Sequence, residues 1–179
     1  MRVARRIMTA LLATVLALAV LGLALRIYMG REAEDHLAPG EEVSITELHS
    51  PLPKPSFLAC PPHYCSAKAV TSPVFDLPWD RLREYWAEVI DGEKSLLRVA
   101  GDPDAGRFVY VQHSSIFRFP DIIIVELVPL GPDRSSIAIY SRSRYGEYDF
   151  GKNRKRVEKW LVLLESVARP AATRQRRVR

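Results

Sequence analysis

Residues 135–167 read SSIAIYSRSRYGEYDFGKNRKRVEKWLVLLESV, and the spacing of their apolar positions changes midway. Up to Arg144, Ile137, Ile139, Ser141 and Ser143 alternate with Ala138, Tyr140, Arg142 and Arg144. One face of a strand then carries the isoleucines, and the other carries Tyr140 with both arginines. From Val157 the repeat becomes helical: Val157, Trp160, Leu161, Leu164 and Val167 fall on one stripe, which such a helix has to bury. Between the two lie Gly146 and Gly151, which allow tight backbone, and Asp149, the natural cap for a helix that starts near Phe150. The stretch therefore predicts a strand whose isoleucine face receives the helix that follows it.

Working outward, three more runs rich in β-branched residues precede it, SLLRVA (95–100), RFVYVQHSS (107–115) and DIIIVELVPL (121–130). The turn signals GDPDAG and GPD separate the runs, so the strands follow one another as an antiparallel meander. Ahead of them PWDRLREYWAEVIDG opens on Pro78, closes on Gly92 and places Trp79, Leu82, Trp86 and Val89 on one face, the pattern of an amphipathic helix. The expected fold is α+β, a four-stranded meander with two helices packed on one face. Asp102 and Asp104 in GDPDAG have a DxD spacing, but the Pro and Gly around them favour a hairpin turn over a metal loop, and no metal-ligand set or cofactor signature is recognised elsewhere.

From Ile7 to Leu25, nineteen residues run without a charge, enough as a helix nearly to span a hydrocarbon core of ~30 Å. Arg2, Arg5 and Arg6 precede the run, whereas its far flank mixes Arg26 and Arg31 with Glu32, Glu34 and Asp35. The positive-inside bias puts the N-terminus in the cytoplasm and the rest in the extracytoplasmic, periplasmic space, with Ile7 to Leu25 in contact with lipid. A cleaved signal is the alternative, with small residues at Ala17-Leu18-Ala19 and Gly22-Leu23-Ala24, but the run is longer than a usual signal core. The expected divisions are an anchor or signal at 1–27, a Pro-rich stalk at 28–56, the α+β domain at 57–168 and a basic disordered tail at 169–179 that can lie against anionic lipid.

The formal charge of +5 belongs to the ends. Arg2, Arg5, Arg6, Arg169, Arg174, Arg176, Arg177 and Arg179 account for eight of 26 basic residues, and the 18 others face 21 acidic ones. That distribution excludes a nucleic-acid-binding body. Cys60 and Cys65, in CPPHYC, are the whole cysteine complement, and in an exported chain an even count reads as a disulfide.

In SRSRYGEYDFGKNRKR (141–156) two readings compete. In one, Asp149 caps the helix, Asn153 ties down the loop and Arg144 pairs with Asp149 or Glu147, which makes the stretch a structural latch. In the other, Arg142, Arg144 and Arg154 converge at the helix N-terminus and, with Tyr140 and Asn153, hold an anionic ligand. The stretch resembles the signature of the bacterial and plastid domain-of-unknown-function family 1499, S-x-S-R-x-G-x-x-D-x-G-x-N-R-x-R. It is matched by Ser141, Ser143, Arg144, Gly146, Asp149, Gly151, Asn153, Arg154 and Arg156. The resemblance implies an exported or membrane-anchored domain over about 57–167, with a cysteine pair ahead of its first helix, and no mechanism.

No GxSxG, HExxH, GxxxxGK[ST] or GxGxxG occurs. His113 is followed by two hydroxyls, Ser114 and Ser115, at an ordinary polar strand end, and the histidines, His36, His49, His63 and His113, are scattered singly. The function expected is therefore a non-catalytic extracytoplasmic binding module for an anionic small molecule or lipid. The alternative is an assembly part of the cell envelope with a protein partner, and a hydrolase ranks behind both.

Overall fold

The computed structural model describes residues 2–35, 37, 41–114 and 119–178. A first helix, α1 (Arg2–Asp35), contains a segment, Arg2–Tyr28, long and apolar enough to cross a membrane. The strands are β1 (Ser56–Cys60), β2 (Val70–Thr71), β3 (Val74–Phe75), β4 (Leu96–Ala100), β5 (Arg107–His113), β6 (Pro120–Gly131) and β7 (Arg134–Ser143). Helix α2 (Trp79–Asp91) precedes β4, and α3 (Lys152–Val178) follows β7.

The expected meander is present as β4 to β7, each strand antiparallel to the next. The sheet nevertheless has seven strands, in the order β2-β1-β7-β6-β5-β4 with β3 also on β7, and not four. The outer edge of β7 takes up both additions: β1 pairs with it from Ser56↔Arg142 to Ala59↔Ile139, and β3 at Val74↔Ser136 and Phe75↔Ser135. β2 and β3 are two residues long and β1 follows a Pro-rich segment, so none carries enough alternation to stand out. β7 is consequently an interior strand with partners along both edges.

Both helices lie on one face. Leu82, Trp86 and Val89 of α2 and Val157, Trp160 and Leu164 of α3 pack on Tyr110, Ile123, Val125, Ile137 and Ile139. The Trp86 and Trp160 rings meet edge to face at 5.6 Å, the arrangement favoured by the aromatic quadrupole. Trp86 Nε1–H donates to the Tyr110 hydroxyl at 3.1 Å and Trp160 Nε1–H to Glu93 at 2.9 Å, so neither indole is buried unsatisfied. α3 begins at Lys152, later than Phe150, and runs on to Val178 through the segment read as a tail.

The opposite face is also covered. Residues 41–52, expected as stalk, lie as a strap across it. Ile45 is wholly buried there with Leu58, Val109, Ile122, Ile124, Ala138 and Tyr140, and Val43, Leu48 and Leu52 pack at the margin. With the strap the fold has three layers, helices, sheet and strap. Cys60 and Cys65 form a disulfide with Cα atoms 6.2 Å apart, and Tyr64 beside it packs into the strap-side core.

Candidate functional site

At the end of β7 the residues of the 141–156 signature turn inward. Asp149 caps α3 and its preceding turn, its Oδ1 accepting from Gly151 N at 3.0 Å and its Oδ2 from Asn153 N at 2.9 Å. Burial pushes the Asp149 carboxyl up, but these hydrogen bonds outweigh it and hold the group below the usual carboxylate range. Asn153 is wholly buried. Its Nδ2 donates to Asp149 Oδ2 (2.8 Å) and Ser143 Oγ (3.2 Å), and its Oδ1 accepts from Ser141 Oγ (2.7 Å).

Arg156 closes this cluster. It donates to Ser141 Oγ and Asn153 Oδ1, both at 2.8 Å, to Gln112 Oε1, and to Asp121 Oδ2. Asp121 Oδ1 in turn accepts from Ser143 Oγ at 2.7 Å. Both serine hydroxyls are spent on internal acceptors, and a polar network satisfied this fully rigidifies its surroundings. The stretch therefore fastens β6, β7 and α3 together.

The three arginines proposed to converge do not. Arg142 and Arg144 project on the strap side, where both bond Glu41: Arg142 at 2.9 Å, Arg144 through Nε at 3.0 Å and through a second nitrogen. Arg154 lies on the helix side, with its guanidinium 5.4 Å from the Phe57 ring centre and paired to Glu158. Tyr140 is buried in the strap-side core, and burial pushes its hydroxyl up. An anion does sit on Arg142 and Arg144, and it is the carboxylate of the chain's own strap.

A second carboxylate, missed in the sequence, anchors the strap. Buried Glu126 on β6 accepts from Ile45 N (3.0 Å) and Ser44 Oγ (3.3 Å) through Oε1, and from the Tyr64 hydroxyl (2.9 Å) through Oε2. Burial and then the Glu126 charge push the Tyr64 hydroxyl up. Arg107 adds a bond to Val43 O at 3.0 Å. The signal was in β6 itself: DIIIVELVPL is apolar on both faces, which fits only a strand covered from two sides.

Beside the strap, a groove of about 490 Å³ runs along the outer edge of β1. Pro51, Leu52, Phe57, Leu58, Ala69 and Val70 supply its apolar lining, with Ser50, Ser56, Lys54 and Lys68. β2 pairs with β1 only at Ala59 and Cys60, so the groove flanks the part of β1 that β2 leaves uncovered. Lys68 N donates to Ser50 Oγ at 2.8 Å and joins the two walls. The lining contains two lysines and no carboxylate, which suits an apolar chain with an acidic head.

The remaining candidates have local roles. Asp102 caps the 3-10 turn Pro103–Ala105 by accepting from Asp104 N and Ala105 N. Ser114 Oγ accepts from Phe119 N at 2.9 Å, while Ser115 and His36 lie outside the described residues. A family model described as a protein of unknown function (DUF1499) matches residues 58–164. No curated protein matches the chain.

Proposed function

The chain belongs to the family of unknown function DUF1499, and on that footing we propose that it is a membrane-anchored extracytoplasmic binding module. It is non-catalytic, and its ligand is an anionic amphiphile. The observation that carries this reading is the groove along β1, whose apolar walls are edged by Lys54 and Lys68 without an opposing acid. Neither lysine takes part in an ion pair among the described residues, so a ligand carboxylate or phosphate meets no internal competitor there. Anchoring through Arg2–Tyr28 holds such a module beside the bilayer from which an amphiphile would come.

Native mass spectrometry of the full chain released from nanodiscs tests this. An acidic amphiphile should accompany the wild type and be lost from the doubly substituted Lys54→Glu/Lys68→Glu protein, with the melting temperature unchanged. A wild type that carries nothing, and that takes up no long-chain fatty acid offered in excess, rejects the groove.

A second reading, an envelope assembly part with a protein partner, draws support from Arg142, Arg144 and Arg156. All three end on carboxylates of the chain itself, as expected where arginines serve only the fold.

A further inference from the structure

We propose that the loop Tyr145–Phe150, with Lys152, Arg154 and Lys155 at the start of α3, is a second membrane contact that rests on an anionic bilayer surface. It builds on the reading that Arg2–Tyr28 spans the bilayer. Tyr148 is 82% and Phe150 87% exposed, with Tyr145 half-covered beside them. Three neighbouring aromatic residues turned toward solvent are a costly choice for a surface that meets water alone.

The display is built in. Phe150 has φ 54° and is followed by Gly151 at φ 73°, so a bulky non-glycine residue is held in the left-handed region it ordinarily avoids. What holds it there is the cap: Asp149 bonds Gly151 N and Asn153 N on either side of the turn. The signature residues Asp149, Asn153 and Arg156 face inward, and the positions before and between them carry Tyr148, Phe150, Lys152 and Lys155 outward. Strain maintained by a fully bonded scaffold points to a use for the displayed side chain.

The chemistry of the patch matches one surface. Aromatic rings favour the headgroup level of a bilayer, and each nearby basic residue adds attraction to anionic lipid. Lys152 and Lys155 stand exposed directly after the rings, with Arg154 exposed but paired to Glu158 and Glu147 the one acid exposed within the loop. Connectivity brings the patch within reach. Arg144, at the loop's root, is bonded to Glu41, six residues past the end of α1 at Asp35. Six extended residues reach at most ~20 Å, and the helical turns from Tyr28 to Asp35 add about 10 Å. Glu41, to which the root of the loop is bonded, is thereby kept within roughly 30 Å of the end of the apolar segment, as the sum of those two reaches.

The test uses the full chain in vesicles of phosphatidylglycerol and phosphatidylcholine, with Cys60 and Cys65 left bonded. Spin labels are placed one at a time at Phe150→Cys, Tyr148→Cys, Val15→Cys in α1 and Glu88→Cys on the exposed side of α2. Collision with oxygen is compared with collision with a water-soluble nickel reagent. The contact predicts that labels at 148 and 150 are several-fold better shielded from nickel than the label at 88, and that this shielding falls in pure phosphatidylcholine. Loop labels as open to nickel as the Glu88 position, with the Val15 label in hydrocarbon, overturn the loop contact and leave the anchor standing. A Val15 label in water overturns both.

Discussion

The two faces of the sheet are closed by different means. On one, α2 and α3 bring a stripe of indoles and aliphatics onto Ile123, Val125, Ile137 and Ile139, and burial of apolar surface provides the adhesion. On the other, an irregular strap contributes Ile45 as its single fully buried large side chain and is tied by named polar bonds, Glu126 to Ile45 N and Ser44, and Glu41 to Arg142 and Arg144. The first face loses stability in proportion to area removed. The second depends on a few bonds whose loss strands charged partners, and it can open while the first stays closed.

Three experiments break or sharpen that contrast. The largest effect is expected from Trp160→Ala, which removes the partner of Trp86 and should cost roughly 3–5 kcal/mol. Denaturant unfolding should show the loss, with exchange of all slow amides, strap and helices together, accelerated. Next is Glu41→Ala, which removes the carboxylate that Arg142 and Arg144 share and should cost about 3 kcal/mol, the lower end for a broken buried pair because Arg142 is partly hydrated. Here the Ile45 amide should exchange faster while the α2 and α3 amides keep their rates. Equal acceleration of both faces would show that they form one cooperative unit.

The smallest effect concerns Asp149. Its carboxyl lies below the usual range when folded, so its contribution is present above the unfolded value of about 4 and fades as pH falls below it. Asp149→Ala should cost on the order of 1 kcal/mol at neutral pH. Its stability should also be flatter than the wild type's as pH falls below about 4, where that carboxyl takes up its proton. An unchanged acid profile would show that Asp149 is not the group behind the acid loss.

The difference between the faces also governs what could be read from the chain. The helix face was legible because periodicity reports it directly: the Trp86 and Trp160 stripes, the β4–β7 alternation and the Asp149 cap all stand where spacing puts them. The strap face was not, because residues 41–52 have no regular apolar period, and nothing local distinguishes Glu41 from a solvated glutamate. β1 to β3 were missed for the same reason. Arg156, legible only as a match to the family signature, lies about 200° around α3 from Arg154. That rotation carries it onto Asp121, a partner thirty-five residues away in sequence.

The strap also sets an order of assembly. Glu41 finds its partners 101 and 103 residues further along the chain, so the first part of the domain to be synthesised is among the last to be placed. At ordinary rates of elongation some 5–20 s separate its appearance from that of β7. Throughout that interval the edge of β1 and the strap's Ile45 wait without the strands they pack against. A chaperone that holds extended, proline-rich chain would have its period of use there, and β7 ends it by closing the sheet from both edges at once.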